Sequence, residues 1–346
     1  MKLLITTQAV DTEDPVLGFF VRWIEEFAKH AERVEVICLR EGKHALPPNV
    51  RVHSLGKERG RPFLGSFTYA VRFKWLAWHL RRDYDTVFVH MNPIYFVIFG
   101  PAWRLMGKRT ALWYTHKSVD VKLRIAVFWA SVVFTASRES FRLPSAKVRV
   151  MGHGIDVEPF AVVPHEPSSG ALRILTTGRL SKTKRVLEML WILDVLAGRG
   201  VAFEFTVAGG PATKEDEEYE REVKEAVAHR AYSAQVHLLG PVPHQDIPGL
   251  LAQADVFLNL SSTGSMDKAV LEPLVAGVPA VTTNEAFRDL LSPYGLFVET
   301  LDAEAVAQAL TEAPATDLSR LARAVREQYA LSNTIAALCR VLKQGV

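Results

Sequence analysis

The chain has 346 residues, of which 49% are apolar and 23% charged, and its formal net charge is +3. That length suits two domains with separate cores, and the composition is that of a soluble globular protein, which excludes disordered and fibrous classes. Two cysteines, Cys38 and Cys339, are too few and too far apart for a disulfide framework or a metal cluster, so a reducing cytoplasm is expected.

The opening stretch 2–6 reads as a buried strand and 18–31 as a helix, with Phe19, Phe20, Trp23, Ile24 and Phe27 at helical spacing. Short apolar runs follow at 34–39, 50–54, 86–90, 110–114, 132–136 and 148–151. Helical segments fit between several of them, notably 65–82. Strands alternating with helices predict a mainly parallel α/β sheet with right-handed crossovers. The most apolar run, 94–100, is too short to span a bilayer, and Pro101 and Arg104 interrupt its continuation.

Residues 159–170 hold three prolines, two serines and a glycine without periodicity, the signature of a linker. The expected organisation is therefore a first domain over 1–160, a linker over 161–170 and a second domain over 171–330. The pattern restarts with strands at 172–177, 203–208, 236–239 and 256–260, separated by helices at 185–197, 214–228 and 247–252. Beyond residue 300 it reads as helices at 303–312, 318–329 and 333–343. The charge follows this division: residues 1–160 carry 24 Lys and Arg against 15 Asp and Glu, and the remainder 17 against 23. A basic half suits nucleic acid, anionic lipid or a phosphorylated substrate, and charge alone does not choose among them.

The stretch 260–281 carries the sharpest local signal. A strand gives way to six small or polar residues, then to an apolar helical segment holding Glu272, then to Gly277 and a second short strand. In a doubly wound sheet such a turn lies beyond the carboxyl end of its strand, where free N–H groups and the positive end of the next helix hold an anion. Pro273 disfavours helical backbone at Glu272, so the helix is expected to begin near Pro273 or to kink there. Strand 172–177 ends in Gly178-Arg179-Leu180, with Lys184 close behind, and the pair Arg179 and Lys184 suits a clamp on a diphosphate. Strand 203–208 ends in Gly209-Gly210-Pro211, a second small-residue turn at the same sheet edge. Asp83-Tyr84-Asp85 matches a metal-binding pattern formally, but it precedes a strand and reads as a solvated turn.

In order and spacing, Gly178-Arg179-Leu180 with Lys184, Val207-Ala208-Gly209-Gly210-Pro211, Leu239-Gly240 with Pro243, Ala254-Asp255-Val256 and the stretch 260–281 resemble the retaining glycosyltransferases of the GT-B fold. Gly18 before the first helix and Gly152-His153-Gly154-Ile155-Asp156 fit the same large nucleotide-sugar family. The resemblance implies two Rossmann-like domains facing across a cleft, with residues 331–346 returning to the first. It implies metal-independent, retaining transfer of a hexose-type sugar from a nucleoside diphosphate to a hydroxyl acceptor, with no other cofactor. Arg179 and Lys184 would neutralise the diphosphate, Glu272 would hold the ribose hydroxyls, and His116 would touch the transferred sugar. Gly18, Gly178, Gly209, Gly210, Gly264, Ser265, Met266 and Asp267 complete the implied donor site. His90 with Asn92 is a further candidate for positioning substrate, and His153 reads as structural.

One departure stands out: Gly264 occupies the place of the family's first glutamate, eight positions before Glu272. Either Asp267 takes over part of that role, or the main-chain N–H groups of Gly264, Ser265 and Met266 contact sugar or phosphate. A nucleotide-sugar epimerase and a non-catalytic nucleotide-sugar-binding scaffold therefore stay open as rivals. Aromatics interleaved with cations over 65–82 and the basic first half predict peripheral contact with an anionic membrane. They place the chain in the cytoplasm at the inner membrane face, with a glycan or lipid-linked acceptor and no nucleic-acid partner.

Overall fold

A computed structural model describes residues 1–14, 16–60, 65–161 and 170–344. The chain divides into two compact units, one formed by Met1–Gly154 with Leu331–Val346 and the other by Ile155–Ala330. The first unit ends six residues before the sequence-based boundary because Ile155 already pairs with the second: its N–H donates to the Tyr329 carbonyl at 2.9 Å, and it bridges Ala330. Of the expected linker, residues 162–169 lie outside the described residues.

The first unit runs β1 (Lys2–Val10), α1 (Phe20–His30), β2 (Arg33–Glu41), β3 (Val50–Ser54), α2 (Ser66–His79), β4 (Thr86–His90) and α3 (Ile94–Leu105). It continues with β5 (Arg109–Trp113), α4 (Val121–Trp129), β6 (Val132–Thr135) and β7 (Val148–Val150), and takes in the last helix, α12 (Leu331–Gln344). The seven strands form one parallel sheet in the order β3-β2-β1-β4-β5-β6-β7. Helices cover both faces, which is why the central strands are apolar on both sides. On one face Phe27 of α1 meets Phe88 and Trp23 meets Trp113, with ring centroids 4.9 Å apart in each pair, and α12 packs beside α1. On the other face α2, α3 and α4 bury Phe73, Phe96, Phe99, Trp103 and Leu123 against Leu4, Val87, Val89 and Leu112. Two polar side chains of this core are satisfied together: Trp103 Nε1 donates to the Tyr84 hydroxyl at 3.1 Å, and that hydroxyl donates to the Ala77 carbonyl at 2.8 Å.

The second unit runs β8 (Leu172–Thr177), α5 (Val186–Gly198), β9 (Phe203–Ala208), α6 (Lys214–Ala228), β10 (Val236–Gly240), α7 (Ile247–Ala252) and β11 (Val256–Asn259). After these come α8 (Lys268–Ala276), β12 (Ala280–Thr282), α9 (Arg288–Leu291), α10 (Ala303–Glu312) and α11 (Ser319–Tyr329). Its five parallel strands are ordered β10-β9-β8-β11-β12. The order reverses between β8 and β11, so the loops that leave these two neighbours diverge to opposite faces and open a crevice at their carboxyl ends. Asp255 tightens the opposite edge, accepting the Arg173 N–H at 2.8 Å and its Nη2 at 2.8 Å, and so pins β11 to β8. That is the structural role of the Ala254-Asp255-Val256 signature.

One expectation changes in the structure. The helix bearing Glu272 starts at Lys268, not near Pro273, because the Asp267 side chain caps it by accepting the Ala269 N–H at 3.2 Å. Pro273 then sits inside the helix. The apolar run 94–100 belongs to α3, whose Tyr95, Phe96, Phe99, Gly100 and Trp103 are buried. Among the described residues, no helix is long and apolar enough to cross a membrane.

Candidate active site

The second unit brings most of the sequence-predicted donor residues to one edge of its sheet. Gly178 and Arg179 follow β8, Gly209 and Gly210 follow β9, and Gly264 to Asp267 lie in the loop between β11 and α8. Close backbone approach explains one glycine. A Cβ on Gly209 would fall 1.7 Å from the Gly178 carbonyl oxygen, so only glycine lets the two turns touch. The Leu180 N–H then donates to the Gly210 carbonyl at 2.9 Å, and the Ser262 N–H to the Thr183 carbonyl at 3.0 Å. These bonds tie the loop after β8 to its neighbours on either side. Gly264 turns the last of these loops with a φ of 57°, a left-handed conformation that would strain a side-chain-bearing residue.

Lys184 closes a short 3-10 turn, and its ammonium pairs with the Asp267 carboxylate. The same carboxylate caps α8 and accepts from Asn259 Nδ2 at 3.3 Å. Burial works against charge on Asp267, yet the Lys184 ammonium and these hydrogen bonds hold it below the usual carboxylate range. The Asp267 carboxylate is thus shared among Lys184, Asn259 and the cap of α8. Arg179 is 48% exposed at its side chain and lies 3.6 Å from Asp216, which closes the capping box of α6 with Thr213. Each predicted clamp cation therefore rests on its own carboxylate. The Met266 side chain is buried, so only its main chain is available to a ligand.

Two residues not singled out in the sequence join this edge. His244, just after Pro243, lies 2.9 Å through Nε2 from Glu272 Oε1, and Glu272 is itself buried. The hydrogen bond to Glu272 raises the His244 pKa, outweighing the opposing effect of burial. Lys268 opens α8 one turn before Glu272. Burial pulls its ammonium down to about 7, against the attraction of Glu272 and Asp267. The cue for Lys268 in the sequence was its place four residues before Glu272, where a helix sets both side chains on one face. His244 carried no such cue, since its partner is 28 positions away.

In the first unit, Gly18 precedes α1 in a tight loop: a Cβ there would lie 2.7 Å from the Asp14 carbonyl oxygen. His116 follows β5 and is exposed, 5.7 Å ring to ring from Tyr114. His90 is buried and stacked on Phe20 at 3.8 Å, with Nδ1 at 3.2 Å from Thr7 Oγ1, an arrangement of packing more than of substrate contact. His153 lies among the Phe19, Trp23 and Trp113 rings, as a structural residue would. Asp83 and Asp85 precede β4 at the far edge of the sheet, where Asp83 pairs with Arg33 at 2.6 Å and Asp85 accepts the Lys2 N–H at 3.0 Å.

Residues 171–314 match the family model described as glycosyl transferases group 1. The chain is similar to WcaL of Escherichia coli strain K12, 27% identical over 217 residues, which are 60% of this chain and 50% of WcaL. It is also similar to the amylovoran biosynthesis glycosyltransferase AmsK of Erwinia amylovora, 29% identical over 149 residues, 41% of this chain and 35% of AmsK. The chain thus spans about half the length, or less, of the curated relatives it matches. Among solved structures, Anabaena Alr3699/HepE in complex with UDP superposes with a TM-score of 0.77 at 17% identity, covering 99% of this chain and 100% of that one. The match to that family model lies within the second unit, and the two parallel α/β units are those of the GT-B fold.

Proposed function

We infer that the chain is a glycosyltransferase that moves a hexose-type sugar from UDP, or another nucleoside diphosphate, to a hydroxyl acceptor with retention at the anomeric carbon. One observation carries this reading: Arg179, Lys184 and Lys268 stand with Glu272 and the N-terminus of α8 at the carboxyl edge of the second sheet, at its switch point. Cations and helix N–H groups suit a diphosphate, and a buried carboxylate with two acceptor oxygens suits a vicinal diol. Anabaena Alr3699/HepE, which shares the fold, is solved in complex with UDP, and this supports the donor class.

In this reading Arg179 and Lys184 bind the diphosphate and stabilise the charge that grows on it as the glycosidic bond breaks. Asp267 holds Lys184 in place for that task. The acceptor oxygen bonds to the anomeric carbon on the face from which the diphosphate departs, and the departing diphosphate takes the acceptor proton, so neither a side-chain nucleophile nor a side-chain base is required. Glu272 receives the ribose hydroxyls, with His244 orienting its carboxylate. His116 of the first unit contacts the transferred sugar, and Gly18 leaves room for the donor beside α1. The acceptor is a glycan or lipid-linked sugar, met by the basic first half at the face of an anionic membrane.

Gly264 in place of a glutamate favours a second reading, a scaffold that binds a nucleotide sugar without turning it over. Incubation with a panel of nucleoside diphosphate sugars separates the two. Release of nucleoside diphosphate with one donor, accelerated by an acceptor, is the expected result. Saturable binding with no release under any acceptor would establish the scaffold instead, and interconversion of the donor alone would establish an epimerase.

A further inference from the structure

The helical layer formed by α2, α3 and α4 keeps large apolar side chains in water. On α2 the residues Phe67, Val71, Trp75 and Trp78 are 65%, 49%, 62% and 53% exposed. Their spacing of four, four and three places them along one stripe, while Phe73 and Ala77 of the same helix face the core. Burying a core explains only the second stripe. On the neighbouring helices Leu105, Val121 and Phe128 are exposed in the same way. Isolated exposed apolar residues are ordinary, but a helix with two apolar stripes is not.

The three helices that carry these side chains hold charge of one sign, the nearest acids in sequence being Asp83 and Asp85 beyond α2 and Asp120 at the cap of α4. Among residues 66–82 and 86–119 there is no Asp or Glu, nor is there one within α4. Lys74, Arg82, Arg104, Lys122 and Arg124 are all exposed. Arg81 lies over the Trp78 ring at 4.7 Å, and Trp75 stacks on His79 at 5.1 Å, so the indoles are held outward at the level of the cations. Rings with a polar edge, set among ammonium and guanidinium groups, fit the boundary between headgroups and acyl chains. A second copy of the same surface would bring like charges together, which opposes self-association.

We propose that α2, with the exposed ends of α3 and α4, is a docking surface for an anionic lipid bilayer, the indoles of Trp75 and Trp78 entering the interface and Lys74, Arg82, Lys122 and Arg124 meeting lipid phosphates. This deepens the membrane clause of the proposed function and rests on it only for the origin of the acceptor. The surface exists whether or not sugar is transferred, and it is read without donor.

The experiment is flotation of the full chain with vesicles of phosphatidylcholine containing phosphatidylglycerol, set against phosphatidylcholine alone. The chain is expected to float with the anionic vesicles at low salt and to be released as salt rises. Trp75→Ser with Trp78→Ser should weaken binding at least ~10-fold, and each of Lys74→Gln, Arg82→Gln and Lys122→Gln roughly fivefold. Because these side chains lie outside the core, circular dichroism and any nucleoside diphosphate release in solution should stay at wild-type levels. No flotation at low salt, or variants that float like wild type, would overturn the proposal. So would light scattering that shows a wild-type dimer split by the tryptophan changes, which would assign the stripe to a second copy. Equal retention on a polynucleotide would assign it to nucleic acid and likewise overturn it.

Discussion

At the scale of single residues, the contact between Lys184 and Asp267 ties the loop after β8 to the start of α8, at the proposed donor site. Lys184→Ala should weaken UDP binding by about 2 kcal/mol, roughly 30-fold, because a charge-assisted bond to phosphate is lost. Asp267→Asn separates two roles of one side chain. Asparagine caps a helix as well as aspartate does, so α8 should keep its start, while loss of the ion pair lowers overall stability and UDP affinity falls by less than in Lys184→Ala. Calorimetric titration with UDP, alongside thermal melts, distinguishes these outcomes. Lys268 adds a pH dependence. Its ammonium titrates at about 7 in the folded chain, so the cation is present below that value and lost as pH rises through it. UDP affinity should therefore decline as pH rises through this range, and Lys268→Met should flatten that slope. Folding carries the opposite sign. The unfolded chain keeps this lysine protonated up to its ordinary value, so the Lys268 term makes stability rise with pH between the two. An affinity that holds level over this range in wild type would remove Lys268 from the site.

At the scale of elements, the turns after β8 and β9 work as one structure. Gly209→Ala forces a methyl group into the Gly178 carbonyl, and the two turns must part. We expect a loss of about 1–3 kcal/mol in stability and a larger proportional loss of UDP affinity, read by denaturant melts and titration respectively. Much of this level is legible in the sequence. The ends of β8, β9 and β11 announce themselves because buried parallel strands are unbroken apolar runs stopped by glycine or small polar residues. The helix start at Lys268 was hidden by Pro273, whose local preference loses to the Asp267 cap and to burial of every α8 residue from Ala269 to Ala276. α3 gave no periodic signal because it is apolar over most of its surface, leaving nothing to alternate. Long-range pairs were beyond reach for a plain reason: His244 meets Glu272, and Arg179 meets Asp216, through folding of the sheet and not through spacing.

At the scale of the whole molecule, the division of charge in the sequence corresponds to a division of chemistry. In the second unit Lys184 pairs with Asp267 and Arg179 with Asp216, which in the proposed scheme preorganises both cations for an anion. The first unit leaves exposed cations around an aromatic stripe with no carboxylate on the three helices concerned. In the proposed scheme donor chemistry falls to one unit and surface attachment to the other, and the two can fail independently. Transfer in this scheme requires the carboxyl edge of the second sheet to hold a nucleoside diphosphate sugar. Hydrogen–deuterium exchange of the full chain with and without UDP addresses that dependence without altering a residue, because it locates the ligand. Slowed exchange over residues 177–186, 208–212 and 260–272 is expected. Protection confined to other segments, or none at saturating UDP, would refute the donor site.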